Sequence, residues 1–187
     1  MRIVHVSNFF GPRSGGRDST LNALAAGYQH AGHEFFSIVP GTTNTWSHAG
    51  IGTRITIAVP TQDGGRFSET AAAILHTVDR LAPDRLEVAD RLTFRSLGAW
   101  ASRTSTPAVY LMNGSPAAWL LSSAAARAGA TRGRRGGSST DQLAQFGRVI
   151  STTHTGEVTL RAALPSVADR VPLGVDLETF SPLRWSA

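Results

Sequence analysis

The sequence contains no cysteine and no lysine among its 187 residues. Without cysteine the chain forms neither disulfides nor cysteine-ligated metal sites, which fits a cytoplasmic protein. Without lysine it cannot carry the Walker phosphate loop, which requires a lysine before its Ser or Thr. All 18 cationic side chains are arginines, a pattern typical of GC-rich coding bias rather than of selection for nucleic acid binding.

Long apolar runs are also missing. None approaches the roughly 20 residues that span a bilayer, and the N-terminal MRIVHVSN lacks the apolar region of a secretory signal peptide. We therefore expect a cytoplasmic protein whose membrane association is peripheral at most. A hydrophobic content of 41% and a charged content of 17% exclude a disordered chain, and the net charge of +5 favours anionic ligands such as phosphates.

Short apolar runs alternate with segments of helical periodicity, which predicts an α/β fold with a single doubly wound, mostly parallel, Rossmann-like sheet of about seven strands. The predicted helices cover 19–31, 68–81, 93–104 and 155–164. The predicted strands cover 3–7, 33–39, 53–59, 85–88, 108–112, 148–151 and 170–173.

The pattern weakens between the fifth and sixth predicted strands. Residues 128–140 (AGATRGRRGGSST) are small, basic and glycine-rich. They bury too little apolar surface to offset an ordering entropy of roughly 1–2 kcal/mol per residue, so we expect them to be poorly ordered. The arginines here lack the interleaved aromatics of single-strand binding proteins, which favours a solvated loop and no nucleic acid partner.

Two adjacent glycines, Gly15 and Gly16, stand between the first predicted strand and the first predicted helix. Backbone N–H groups of a glycine loop at a helix N-terminus can approach a phosphate closely. A flexible turn explains the pair equally well from spacing alone. The motif G-x-G-x-x-G is absent, which argues against a nicotinamide-dependent dehydrogenase.

Two carboxylates, Glu87 and Asp90, lie in the stretch LEVADRLTFRSLGAW, at the end of the fourth predicted strand and just after it. They could accept hydrogen bonds from a polyhydroxyl ligand in the cleft that the glycine loop faces. The alternative, favoured by the residues alone, is helix N-terminal charge with a salt bridge to Arg91 or Arg95. The six histidines show no spacing typical of a metal site, so no metal is expected.

Four stretches together resemble the N-terminal domain of retaining glycosyltransferases of family 4, which have the GT-B fold, and in particular the actinobacterial mannosyltransferase-like group. They are the opening MRIVHVSNFFGPRSGGRDSTLNALAAGYQHAGHEFFSIVPG, then LEVADRLTFRSLGAWA, RVISTTHTGEVTLRA and VPLGVDLETFSP. The resemblance extends over nearly the whole chain but only over the first of the family's two domains.

The resemblance implies that Gly15 and Gly16, with Arg13 beside them, approach the diphosphate of a nucleotide sugar. It further implies that Glu87, Asp90 and Asn113 are contacts in the cleft; no catalytic residue is assigned. Asn113 stands where the family usually has a histidine. An amide can hydrogen-bond a sugar hydroxyl but cannot exchange protons as a histidine does.

The resemblance also implies the domain organisation and the function. Residues 1–182 form the family 4-like N-terminal domain and residues 183–187 a tail, with the C-terminal nucleotide-sugar domain absent. The expected function is to form the acceptor side of an enzyme that transfers a hexosyl group, for which mannosyl is one candidate. The donor is a nucleotide sugar and the acceptor a sugar or a lipid-linked sugar. No further cofactor is expected. A separate chain could supply the C-terminal domain, and the isolated chain is expected to be inactive. The alternative is a non-catalytic remnant or partner-binding module.

Overall fold

The computed structural model describes residues 1–7, 17–49, 52–58, 67–89, 93–112 and 139–172. The strands in these ranges are β1 (Arg2–Val6), β2 (Glu34–Gly41), β3 (Thr45–Ala49), β4 (Gly52–Ala58), β5 (Arg85–Val88), β6 (Ala108–Met112), β7 (Arg148–Ser151) and β8 (Ala168–Arg170). The helices are α1 (Arg17–His30), α2 (Phe67–Leu81), α3 (Phe94–Thr104), α4 (Ser139–Leu143) and α5 (His154–Ala163).

The eight strands form one sheet in the order β3-β4-β2-β1-β5-β6-β7-β8. Every neighbouring pair is parallel except β3 with β4. Strands β2, β4 and β3 extend from β1 to one edge of the sheet, and β5 to β8 extend from β1 to the other edge. The direction of winding therefore reverses between β1 and β5, and in open α/β sheets the crevice at such a reversal is where ligands bind.

One face of the sheet carries most of the apolar core. Alternate residues of neighbouring strands lie in register on this face, as Val4, Leu86 and Ala108 do across β1, β5 and β6. The helices α2, α3, α4 and α5 supply buried side chains to the same cluster, among them Val78, Leu97, Leu143 and Leu160. Burial of apolar surface stabilises a fold by about 25 cal/mol per Å², so this core is the main source of the domain's stability.

The opposite face is covered at β1 and β2 by α1, and its apolar cluster is small. Ile3, Leu21, Ala25 and Phe35 form it, with Tyr28 packed against them. Buried polar side chains lie on the same face beside this cluster, namely His5, Ser37 and Glu87. The attachment of α1 to the sheet is therefore more polar than that of the other helices.

Helix α1 ends at a C-cap glycine. Gly32 adopts a left-handed conformation with φ of 76°. Its N–H donates to the carbonyl of Gln29, and the N–H of His33 donates to the carbonyl of Tyr28, both at 2.9 Å. This pair of bonds is the Schellman motif, which satisfies carbonyl groups that a helix end leaves open and turns the chain into β2.

The α/β fold class and the mostly parallel sheet are confirmed. Two strands differ from prediction: β3 was not predicted, and the last strand is β8, Ala168–Arg170, rather than 170–173. Of the predicted loop 128–140, residues 128–138 lie outside the described residues, whereas Ser139 and Thr140 begin α4. The predicted tail at 183–187 also lies outside them. No helix in the described part of the chain is long and apolar enough to cross a bilayer.

Candidate functional site

The candidate site is the edge of the sheet at the carboxyl ends of β1 and β5, where the winding of the sheet reverses. The chain is held to the sheet up to this edge. The N–H of Ser7 donates to the Ile38 carbonyl at 3.0 Å, and the N–H of Ala89 donates to the Val6 carbonyl at 2.8 Å. Ser7 and Ala89 therefore mark the carboxyl edge of the sheet on either side of Val6, which is the edge where ligands of such folds bind.

Five of the six predicted binding residues lie outside the described residues: Arg13, Gly15, Gly16, Asp90 and Asn113. The described elements around them agree with the sequence analysis. Helix α1 begins one residue after Gly16, and β6 ends at Met112, one residue before Asn113. Their roles in the cleft stay predictions.

Glu87, the sixth predicted residue, is buried inside the sheet with 2% of its surface exposed. The parallel register of β1 and β5 places it beside His5, although the two are 82 residues apart in sequence. His5 Nδ1 lies 3.2 Å from one carboxylate oxygen, and the Tyr28 hydroxyl donates to the other. Arg85 Nε lies 3.6 Å from that second oxygen. The carboxylate is thus engaged by residues of the domain itself.

Burial of Glu87 works to raise the pKa of its carboxyl, but the neighbouring groups outweigh it. The hydrogen bond and charge of His5, the hydrogen bond from Tyr28 and the charge of Arg85 together hold that pKa below its usual value. At neutral pH the carboxylate is therefore ionised and accepts both bonds, with the hydrogen of His5 on Nδ1. Burial, and then the adjacent negative charge, raise the pKa of Tyr28, which keeps its hydroxyl protonated as a donor.

A second group of polar side chains lies at the same edge of the sheet, on β8 and α5. Thr153 caps α5, its Oγ1 accepting from the N–H of Gly156 at 3.1 Å. Glu157 in the first turn pairs with Arg161 at 3.1 Å and with Arg170, the last residue of β8, at 3.3 Å. Because Glu157 balances these arginines, their charge is not available in full to an anion. Exposed His154 begins α5, one residue before the start of the predicted helix.

A small pocket lies under α1, between that helix and strands β2 and β4. Its volume is about 10 Å³, which is about the room that one water molecule needs. Its lining includes Asn22, Ser37 and Thr53. The pocket is too small for a sugar or a nucleotide. Within the described residues, no group of three or more His, Asp or Glu side chains is arranged to hold a metal ion.

The sequence analysis missed the association of His5 and Tyr28 with Glu87. His5 is buried within β1, and its partner Glu87 lies on a strand that is remote in the sequence. A charged residue within an apolar strand is one signal that could have found the group, since RLEV places Glu87 between two buried residues. Pairing it with His5 requires knowing that β5 lies next to β1.

No protein-family model matches the sequence. Over its whole length, however, the chain is 35% identical, across 196 aligned positions, to "GDP-mannose-dependent alpha-(1-6)-phosphatidylinositol dimannoside mannosyltransferase" of Mycobacterium tuberculosis, in both strain ATCC 25177 / H37Ra and strain CDC 1551 / Oshkosh. The alignment covers 49% of each relative. The chain thus spans about half the length of the curated relatives it matches.

Solved structures share the fold at low sequence identity. Sucrose-phosphate synthase from Thermosynechococcus elongatus matches 95% of this chain and 49% of its own, with a TM-score of 0.64 and 13% identity. A glycosyltransferase from Rickettsia africae matches 97% of this chain and 45% of its own, with a TM-score of 0.61 and 12% identity. Together with the mannosyltransferase relatives, these matches confirm the resemblance: the chain has the fold of a GT-B glycosyltransferase domain and fits the N-terminal one.

Proposed function

We propose that this chain is the N-terminal, acceptor-side domain of a retaining glycosyltransferase that transfers a mannosyl group from GDP-mannose. The observation that carries the proposal is the 35% identity over the entire chain to GDP-mannose-dependent mannosyltransferases. The reversal of the sheet between β1 and β5 supports it, because ligands of open α/β folds bind at such a reversal and the glycine pair follows β1 in sequence.

In this proposal Gly15 and Gly16 admit the diphosphate to backbone N–H groups at the start of α1, where the helix dipole also favours negative charge. Arg13 adds a cation beside them. Asp90 and Asn113 hydrogen-bond sugar hydroxyls. The acceptor is a lipid-linked mannoside, by analogy with the phosphatidylinositol dimannoside in the relatives' name, and no cofactor is needed. The protein works in the cytoplasm, with peripheral contact to the membrane that carries its acceptor.

Catalysis in this proposal rests on positioning and on electrostatic stabilisation of the departing diphosphate, which are typically the largest contributions to such a reaction. A GT-B enzyme assembles both across the cleft between two domains. The other half of the site would come from a second GT-B domain, supplied in a longer chain or by a separate one. The 187-residue chain by itself is therefore expected to bind a nucleotide weakly and to turn over negligibly.

The second candidate function is binding of an acceptor or a protein partner without turnover. Asn113 favours it, because it stands where the resemblance expects a histidine able to exchange protons. In this case addition of a second GT-B domain would restore no transfer.

The test is a transfer assay with GDP-mannose and a phosphatidylinositol mannoside acceptor. It is run on the chain alone and on the chain joined to the second GT-B domain of the mycobacterial relative. We expect transfer only with both domains, and loss of at least about 100-fold in the variant Gly16→Leu, the scale of removing a preorganised donor. Gly27→Ala is the control, because Gly27 has open space around it in α1. Full activity of Gly16→Leu would contradict the diphosphate role.

A further inference from the structure

We infer that Glu87 is a positioning residue for the candidate site: by accepting hydrogen bonds from His5 on β1 and Tyr28 on α1, it fixes α1 against the strands at the reversal of the sheet. The inference rests on the proposed function in one respect, since the site it serves is the proposed diphosphate site at the start of α1.

Tyr28 of α1 contacts two strands of the sheet. Its ring stacks on Phe35 of β2, with centroids 5.7 Å apart, and its hydroxyl donates to Glu87 of β5. Strand β1 lies between β2 and β5 in the sheet. Tyr28 therefore extends over β1 and links α1 to both sides of the reversal.

Helix α1 contacts the sheet through a small apolar cluster and through the hydroxyl of Tyr28. The apolar cluster under the helix joins it to Ile3 of β1 and Phe35 of β2. The hydrogen bond from Tyr28 to Glu87 reaches beyond β1 and attaches the helix to β5. Loss of this contact is expected to let the helix shift over β1, because the small cluster that remains lies towards β2.

A carboxylate suits the position of Glu87 because hydrogen-bond donors face it from two sides. Both of its oxygens face donors, His5 Nδ1–H and the Tyr28 hydroxyl, and Arg85 Nε lies 3.6 Å away. On β6 the residue in register with Glu87 is Val109, which is apolar. The polar groups that face Glu87 thus come from β1, from α1 and from its own strand. An ionised carboxylate accepts from two donors more strongly than a neutral amide could.

The consequence for the site is geometric. Helix α1 begins at Arg17, directly after the glycine pair in the sequence, and it is a rigid rod of 14 residues. A shift at Tyr28, near its far end, changes the direction in which its first turn points. Glu87 contacts no substrate in this account; it acts through α1.

The test compares Tyr28→Phe, which removes only the hydroxyl, with Tyr110→Phe, which removes a buried hydroxyl on the other face of the sheet. Amide hydrogen exchange is measured in α1, with α2 and α3 as internal references, and GDP is titrated as a probe. We expect Tyr28→Phe to speed exchange in α1 about tenfold relative to α2 and α3 and to weaken GDP binding about three- to tenfold. Tyr110→Phe should change neither the exchange in α1 relative to α2 and α3 nor the affinity for GDP.

Equal acceleration in all three helices, or unchanged α1 exchange, would overturn the inference, because Glu87 would then be only one stabilising contact among many. Should Tyr28→Phe fail to fold, Glu87→Gln replaces it in the same comparison. Failure of the wild-type chain to bind GDP would count against the proposed diphosphate site, whereas the exchange ratios would still decide whether Glu87 fixes α1.

Discussion

Gly156 lies so close to Ser151 that a β-carbon on the glycine would stand 2.0 Å from the serine Oγ and 2.9 Å from the Oγ1 of Thr153. Helix α5 can therefore pack its first turn against the end of β7 only with glycine at this position. We expect Gly156→Ala to lower the free energy of unfolding by about 1–3 kcal/mol, through overpacking and loss of the Thr153 cap. Urea denaturation measures the change.

The matched control for that variant is Gly27→Ala. Gly27 also lies within a helix, but no atom would approach its added β-carbon within 4 Å. Alanine is the better helix former, so this variant should gain about 0.5–1 kcal/mol. A gain of stability in both alanine variants would show that helix propensity, and not the contact with Ser151, decides the outcome.

Acid should weaken the fold through Glu87. Because its folded pKa lies below the usual value of 4.5, the ionised carboxylate contributes stability that is complete above about pH 4.5 and is lost as the pH falls through the folded pKa. Glu87→Gln should therefore be less stable than the wild type at pH 7 by about 1–3 kcal/mol, the cost of disturbing a buried hydrogen-bonded group. The difference should shrink between pH 5 and pH 3 in urea titrations; a constant difference would count against an ionised Glu87.

Alkali should weaken the fold through Tyr28. Its pKa is raised above the usual value of 10, so the stability tied to its neutral hydroxyl is fully present below about pH 10 and is lost as the pH rises further towards the folded pKa. Between pH 9 and pH 11 the wild type should lose more stability than Tyr28→Phe does. Parallel curves for the two proteins would mean that the hydroxyl does not feel the Glu87 charge.

The ring of Phe146 is an anchor of the main core. It is almost fully buried, its centroid lies 5.5 Å from that of Tyr110, and it packs against Gly98 of α3. Phe146→Ala should cost about 3–5 kcal/mol, the range for deleting a buried aromatic ring. Val158→Ala is the comparison, because Val158 is 57% exposed and should change stability by less than about 0.5 kcal/mol. Thermal unfolding of both variants checks the contrast.

Most of the architecture could be predicted from the sequence, because buried parallel strands are short apolar runs and the breaks between them carry glycine and proline. Strand β3 could not be predicted. Its sequence TWSHA has no apolar run, and Trp46 within it is exposed. The strand exists because it pairs antiparallel with the edge of β4, a tertiary contact without a local signal.

The candidate site was predicted less completely than the fold. The position of Glu87 near the carboxyl edge followed from the pattern, but its environment did not. Its partners are 82 and 59 residues away in sequence, and only the order of strands brings them together. A lone carboxylate in a sequence cannot reveal whether it faces solvent or a buried histidine.

The place of β1 between β2 and β5 has a consequence for how the molecule could be divided. Residues 1–58 contain β1 to β4, and residues 67–172 contain β5 to β8; β1 and β5 form the ladder between these two sets of strands. A chain cut between residues 58 and 67 would give two fragments, each with one newly exposed parallel strand edge, β1 in the first and β5 in the second. Reassembly would have to occur along that ladder, and it would also rebuild the candidate site at its end. The two fragments could therefore be used as a split reporter, in which recovery of the folded domain signals that the fragments have associated.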